Sequence, residues 1–216
     1  MKVLYINSNP KPMDQSFGLR LGRHFLNELS NQNENVEIET VNLYEENIPF
    51  IDADVLDAWG KLAAGQELSP SQVEKTSRMG EILEQFLSAD MYVFNTPMWN
   101  LSYPPMLKAY IDNVVMAGKT FKYTENGPAG LLGGKTAVHV QSRGGVYSEG
   151  PAQAFEFTNG YLQGVMAFIG ITDYHHVFTE GMAAAPDRAE EILADASERA
   201  TELAKELVSA KRLHNF

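Results

Sequence analysis

Lys2-Val3-Leu4-Tyr5-Ile6-Asn7-Ser8-Asn9-Pro10 decides how the rest of the chain is read. A short apolar run that stops in Asn-Ser-Asn-Pro has the form of a buried parallel strand feeding a loop, because a strand covered on both faces is apolar continuously. Beyond the loop the period changes. From Phe17 to Leu29, the residues Leu19, Leu21, Phe25, Leu26 and Leu29 fall at roughly helical spacing.

The same alternation continues outward. Val36–Leu43 places Val36, Ile38, Thr40 and Asn42 on one face and predicts a second strand. Ile48–Gly65 has no strand period and predicts an excursion with a short helix around Asp54–Leu62. Ser69-Pro70-Ser71-Gln72 is a helix start, with Ser69 as cap, Pro70 in the first turn and Gln72 closing a capping box. That helix is expected to reach about Ser88 and to bury Val73, Met79, Ile82, Leu83, Phe86 and Leu87. Met91–Asn95 is a short central strand, and Pro104–Ala117 a helix ended by Gly118 as a left-handed cap. Phe121–Gly134, with Asn126-Gly127, predicts a loop or hairpin. Thr136–Gln141 and Tyr174–Phe178 are the last strands, and Gln153–Ile169 and Pro186–Arg212 the last helices. No repeat or linker interrupts the series, so residues 1–216 are expected to form one domain. Strands alternating with helices give a parallel sheet covered on both faces. Five such strands suit a flavodoxin-like, doubly wound α/β fold, in which ligands bind beyond the carboxyl ends of the strands at the switch point.

The 216 residues include no cysteine, which excludes disulfide scaffolds, thiolate metal sites and cysteine nucleophiles. A net charge of −11 without a run of Lys or Arg weighs against nucleic acid as a partner, since the surface repels phosphodiesters. No apolar stretch reaches the roughly 18–20 residues that span a bilayer. The run after Met1-Lys2 is too short for a secretory signal. A soluble, cytoplasmic protein is expected. His24, His139, His175, His176 and His214 offer no pair with metal-site spacing, so no metal is expected.

Three loops following strands carry unusual residues. Asn7–Gly18 holds Asn7, Ser8, Asn9, Gln15, Ser16 and Gly18 at the start of a helix, whose free N–H groups suit a phosphate; an ordinary capped βα loop explains the same residues. There is no G-x-G-x-x-G and no P-loop motif. Thr96-Pro97-Met98-Trp99-Asn100-Leu101 puts an aromatic and a thioether at the sheet mouth, either under a neighbouring loop or as a wall for a planar ligand. Gln141-Ser142-Arg143-Gly144-Gly145-Val146-Tyr147 lets the backbone approach a ligand and offer N–H groups to an electron-rich ring edge. The alternative there is a glycine turn with Arg143 in a surface ion pair. The three follow the first, third and fourth strands, neighbours at the centre of such a sheet. A phosphate, a ring face and a ring edge together describe FMN.

At these residues the chain resembles the FMN-dependent NADH:quinone oxidoreductases, also called azoreductases or azobenzene reductases, over essentially its whole length. The most specific parts are Pro97-Met98-Trp99-Asn100-Leu101, the stretch Ala117-Gly118-Lys119-Thr120-Phe121-Lys122-Tyr123-Thr124-Glu125-Asn126-Gly127-Pro128, and Ser142-Arg143-Gly144-Gly145-Val146-Tyr147-Ser148-Glu149-Gly150-Pro151. The resemblance implies that Asn9, Ser16, Phe17 and Gly18 hold the ribityl phosphate. It implies that Met98, Trp99, Asn100 and Leu101, after Pro97, line the isoalloxazine, with Ser142, Arg143, Gly144 and Gly145 at its pyrimidine edge. Tyr123 and Phe168 fall where the family places aromatics near the substrate; Tyr147 is a candidate to orient it, and a packing role explains that residue equally well. The family is homodimeric, with flavin sites at the subunit interface. Many relatives have a serine-rich first loop, whereas Phe17-Gly18 supplies fewer hydroxyls.

The expected reaction is a ping-pong cycle: NADH or NADPH delivers a hydride to FMN and leaves, and a quinone or azo acceptor takes its place. No side chain is assigned as acid, base or nucleophile. A non-catalytic electron carrier on the same fold is the first alternative, and the Phe121–Gly134 excursion and Phe168 argue against it. A phosphoacceptor receiver needs acidic residues where Asn7-Ser8 and Pro97-Met98 stand, and a serine hydrolase needs the absent G-x-S-x-G. The stripe Met106, Leu107, Tyr110, Ile111, Val114 and Val115 is wide enough for part of it to meet a partner subunit, although wide stripes also occur on helices buried within one domain.

Overall fold

The computed structural model describes residues 1–213, with side chains through residue 210; His214 lies outside the described residues. In chain order the strands are β1 (Lys2–Asn7), β2 (Glu37–Asn42), β3 (Met91–Pro97), β4 (Phe121–Thr124), β5 (Gly127–Gly130), β6 (Thr136–Arg143) and β7 (Asp173–Glu180). The helices are α1 (Phe17–Gln32), α2 (Ala53–Ala63), α3 (Pro70–Ser88), α4 (Pro105–Val114), α5 (Asn159–Phe168) and α6 (Ala189–Leu213). Five strands pair in parallel in the order β2-β1-β3-β6-β7, while β4 and β5 form a separate antiparallel hairpin. This is the flavodoxin-like order that the strand pattern predicts.

Side chains alternate across each strand, so the central strands feed two cores. Leu4, Ile6, Tyr92 and Phe94 pack with α3, α4 and α5 through Phe86, Leu107, Tyr110 and Met166. Val3, Tyr5, Val93, Val138 and Val140 pack with α1 and α6 through Leu21, Phe25, Leu193, Ala196 and Ala200. No helix among the described residues is long and apolar enough to cross a membrane.

Several boundaries differ from the sequence pattern, each for a local reason. Val73 is 49% exposed and Gln72 is buried in its place. The Gln72 side chain accepts from Ser69 N–H and donates to Asp57 (2.7 Å), which turns that face of α3 toward α2. Helix α4 stops at Val114 rather than Ala117, because the Thr120 hydroxyl donates to Val114 O and accepts from Met116 N–H. Gly118, at φ +80°, therefore belongs to the following turn and is not the helix cap. Helix α5 starts at Asn159, not Gln153, since the Glu156 carboxylate accepts from the N–H groups of Thr158 and Asn159. The stripe on α4 is mostly core: Leu107, Tyr110, Ile111 and Val114 are buried, leaving Met106 and Val115 half-buried.

Gly22 shows how tightly α1 is seated. A Cβ there would lie 2.2 Å from Asn95 Nδ2 and 2.8 Å from the Tyr5 hydroxyl. That amide donates to Tyr5 (2.5 Å) and to Gly18 O (3.0 Å), fastening the first turn of α1 to the end of β3. A helical Gly→Ala change normally stabilises by about 1 kcal/mol. Overpacking costs about 1–3 kcal/mol and prevails here because the neighbour is itself pinned. Gly22→Ala is therefore expected to lose stability in urea titration, by up to about 2 kcal/mol net, with an unchanged m-value.

Candidate functional site

Parallel pairing brings the carboxyl ends of β1, β3, β6 and β7 to one edge, with Asn7 opposite Asn95, Pro97 opposite Ser142 and Ser142 opposite Thr179. The loop after β1 is braced by its own amides. Asn7 Oδ1 accepts from Asn9 N–H (3.0 Å), and Asn9 Oδ1 from Lys11 N–H (3.0 Å). Ser16 caps α1: its Oγ accepts from Leu19 N–H (3.2 Å) and from Asn9 Nδ2 (2.9 Å). With both lone pairs engaged, the Ser16 hydroxyl keeps its proton to donate. The first intrahelical bond runs from Arg20 N–H to Ser16 O, so the N–H groups of Phe17 and Gly18 precede it and have no partner within the helix. A hydroxyl and two amides at a helix N-terminus form an anion site. The cap and the anion site are thus compatible uses of one serine.

Gly18 joins this loop to the end of β6. A Cβ at Gly18 would lie 2.7 Å from Ser142 Oγ and 3.1 Å from its Cβ, so a larger residue would have to push the serine aside. The loop after β3 meets the same residue, since Met98 N–H donates to Ser142 O (3.1 Å). It then makes a tight turn in which Trp99 and Ser102 exchange both backbone bonds (2.9 and 3.0 Å). The central residues Asn100 and Leu101 have φ +48° and +67°. Such turns normally use Asn-Gly, and a leucine in the left-handed region costs about 1–2 kcal/mol. Strain of this kind collects at binding sites. Here it holds Trp99, 38% exposed, beside Tyr44 at 6.3 Å between ring centroids. The sequence pattern did not reveal Tyr44, which comes from the loop after β2.

The loop after β6 has its carbonyls on one side. Gly181 N–H donates to both Arg143 O and Gly145 O (3.1 Å each), and Gly144 O accepts from Ala183 N–H (3.0 Å) and Ala184 N–H (3.3 Å). No peptide among the described residues is cis. In a trans peptide, the N–H points opposite to the preceding carbonyl. The N–H groups of Gly144, Gly145 and Val146 are therefore turned away from the 181–184 segment, a row of donors suited to an electron-rich edge.

Arg143 is not a surface ion pair. Its side chain is 1% exposed, and its guanidinium donates to Gln141 Oε1 (2.6 Å), Glu180 (2.9 Å) and Glu156 (3.1 Å) while covering the Phe178 ring at 3.8 Å. What Arg143 offers the loop is backbone. Burial alone would raise the Glu180 carboxyl; hydrogen bonds from Ser148, Arg143 and Tyr147 N–H hold it below its ordinary value. Desolvation pulls Glu156 upward too, and Thr158, the start of α5 and Arg143 together outweigh it and lower that carboxyl. Nearby, fully buried His139 lies between Thr96 Oγ1 (3.0 Å) and Asn159 Oδ1 (3.2 Å). Burial pushes its pKa down to about 3, with Arg143 contributing, so it stays neutral.

The aromatics expected near a substrate divide. Tyr147 folds over Gly145. Tyr123, 75% exposed, and Phe168 flank Phe121 at 5.4 and 4.6 Å, on the hairpin and the end of α5. They share no ring contact with Trp99 among the described residues. Two open concavities border α4. One of about 530 Å³ is lined by Ile51, Trp59, Val115, Met116 and Phe121, and one of about 380 Å³ by Ile111, Tyr161, Val165 and Phe168.

Comparisons with known proteins agree with this fold. A family model described as the flavodoxin-like fold matches residues 1–204. FMN-dependent NADH:quinone oxidoreductase 3 of a Bacillus cereus strain is 50% identical over 207 residues, covering 94% of this chain and 98% of the relative. An FMN-dependent NADH:quinone oxidoreductase of Geobacillus kaustophilus is 51% identical over 206 residues, with the same coverage of 94% and 98%. The solved structure of an FMN-dependent NADH-azoreductase from Bacillus anthracis str. Ames Ancestor, in complex with FMN, superposes with a TM-score of 0.91 at 38% identity, covering 96% of this chain and 99% of that one.

A buried neutral histidine makes stability depend on pH. The folded pKa of His139 is depressed, so the unfolded chain binds the proton first. Its contribution to stability is complete above about pH 6.5 and is lost as pH falls toward about 3. Chemical unfolding of wild type should therefore show stability declining already between about pH 6.5 and 5, above the ordinary carboxylate range. His139→Gln should make that part of the profile shallower.

Proposed function

The chain belongs to the family of FMN-dependent NADH:quinone oxidoreductases, and we propose that it holds FMN at the carboxyl edge of its sheet and passes electrons from NADH or NADPH to quinones and azo compounds. The observation that carries this reading is the convergence on Ser142, where Gly18 and Met98 both meet the end of β6. The donors suit each part of the cofactor. Ser16, Phe17 and Gly18 take the phosphate, with Asn9 orienting the serine. Pro97, Met98, Trp99, Asn100 and Leu101 line the ring, held by the strained turn. Ser142, Arg143, Gly144 and Gly145 meet the pyrimidine edge, Arg143 through its backbone. When bound, FMN supplies the two-electron relay between nicotinamide and acceptor.

The protein's own residues bind, orient and exclude water. The amide row favours negative charge at the ring edge, which helps the cofactor accept electrons. A single flat slot beside Trp99 would take the nicotinamide and then the acceptor, which is the basis for ping-pong order. Tyr147 orients the occupant. Tyr123 and Phe168 would close the slot of a partner subunit in a homodimer, since they are exposed and grouped away from the loops. Exposed apolar patches with concavities on both sides of α4 support that contact. The 216 residues act as one domain, and a cysteine-free, acidic chain suits the cytoplasm. A pure electron carrier would instead present a bare ring edge to proteins, which the Phe121, Tyr123 and Phe168 cluster does not favour.

Purified protein is expected to be yellow. Anaerobic NADH should bleach it, and a quinone should restore the colour. Colourless protein that takes up no FMN and shows no bleaching would sink the proposal. Parallel reciprocal plots of initial rate are expected, and intersecting ones would remove the ping-pong order. Ser16→Ala should raise the FMN dissociation constant about tenfold, or about 1.4 kcal/mol, measured by quenching of FMN fluorescence.

A further inference from the structure

We propose that Glu180, the last residue of β7, is the positioning residue that aims the Gly144–Val146 amide row at the ring edge; this inference rests on the FMN reading above. The row has direction only because its carbonyls are drawn to the other side. Three of the tethers are backbone: Arg143 O, Gly144 O and Gly145 O are taken by the N–H groups of Gly181, Ala183 and Ala184. The fourth tether is a side chain. Glu180 Oε1 accepts from Tyr147 N–H at 3.0 Å and from Arg143 Nη1 at 2.9 Å, so one oxygen holds both ends of the glycine turn.

Without this bond, the segment between Arg143 and Tyr147 contains two glycines and is held at its far end only through Gly145 O, by a Gly181 N–H that it shares with Arg143 O. A shared donor holds weakly and glycine peptides rotate at little cost, so the N–H groups at that end would lose part of their common direction. The clamp is itself rigidly built. Arg143 is pinned by Gln141, Glu156 and the Phe178 ring, and Glu156 is tied to the first turn of α5. Gly181, at φ +82°, completes the arrangement, because a Cβ there would press on Val146 at 3.2 Å.

Position and charge can be separated by two conservative variants. Glu180→Asp keeps the charge but withdraws the carboxylate by about 1.5 Å, one carbon–carbon bond, beyond hydrogen-bond reach of Tyr147 N–H. Glu180→Gln keeps the oxygen in place and removes the charge. The quantity to measure is the dissociation constant for oxidised and for reduced FMN, together with the midpoint potential.

For Glu180→Asp the preference for reduced over oxidised FMN should fall about tenfold, which moves the midpoint about 30 mV more negative for a two-electron couple. Glu180→Gln should not move it in the negative direction. In flavin-free protein, exchange of the Tyr147 amide hydrogen should quicken about tenfold in the Asp variant and stay near wild type in the Gln variant, as expected for the loss of about 1.4 kcal/mol of protection.

A purely structural role would weaken both redox states equally and leave the midpoint unchanged in Glu180→Asp; that result overturns the proposal. A midpoint in Glu180→Gln as negative as in Glu180→Asp also overturns it, by assigning the effect to charge. Unchanged Tyr147 exchange in the Asp variant does the same. Failure of wild type to quench FMN fluorescence is a separate outcome, which removes the cofactor reading and this inference with it.

Discussion

Parallel registration of β1, β3, β6 and β7 is the constraint from which the candidate site follows. Strands that run the same way end on the same side, so the loops leaving Asn7, Pro97 and Arg143 and the turn after Glu180 must share one edge. Connections between parallel strands pass through helices on the two faces, which keeps that edge clear. Both cores serve this arrangement. Leu4, Ile6 and Phe94 fix one face of the central strands and Val3, Tyr5 and Val93 the other, so a shift of register by one residue would exchange the two sets.

Polar groups then refine what the hydrophobic register sets coarsely. Asn95 carries the connection from β3 to α1 through Tyr5 and Gly18, and Ser142 is met by both Gly18 and Met98. The buried Arg143 lies between two carboxylates, Glu156 and Glu180. Such a cluster adds little net stability, because desolvating three charges offsets much of their attraction. Its value is directional: each nitrogen of the guanidinium has a fixed acceptor, and the glycine turn is attached to that frame.

Much of this was legible in the residues themselves. Ser69-Pro70-Ser71-Gln72 forms its capping box, and the α1 residues from Leu19 to Leu29 bury as their spacing implies, since caps and amphipathic periods are local properties. The differences arise where distant groups intervene. Thr120 ends α4 early, Glu156 delays α5, and the Gln72 amide takes the inward place expected of Val73. Tyr44 beside Trp99, and the left-handed Leu101, carry no sequence signal at all. Leucine is a poor residue for that turn, so only its surroundings can select it.

From its sequence alone, the chain determines a doubly wound α/β fold, the loops that bear unusual residues, and a resemblance to flavin enzymes. Those rest on periodicity and motifs, which depend on neighbours a few positions away. Tertiary structure decides that Arg143 turns inward rather than toward a ligand, that the carbonyls of the glycine turn face Gly181–Ala184, and that Tyr123 and Phe168 stand apart from the loops. These are matters of direction. A peptide or guanidinium acquires direction only from partners far along the chain, and folding alone brings those partners within hydrogen-bond reach.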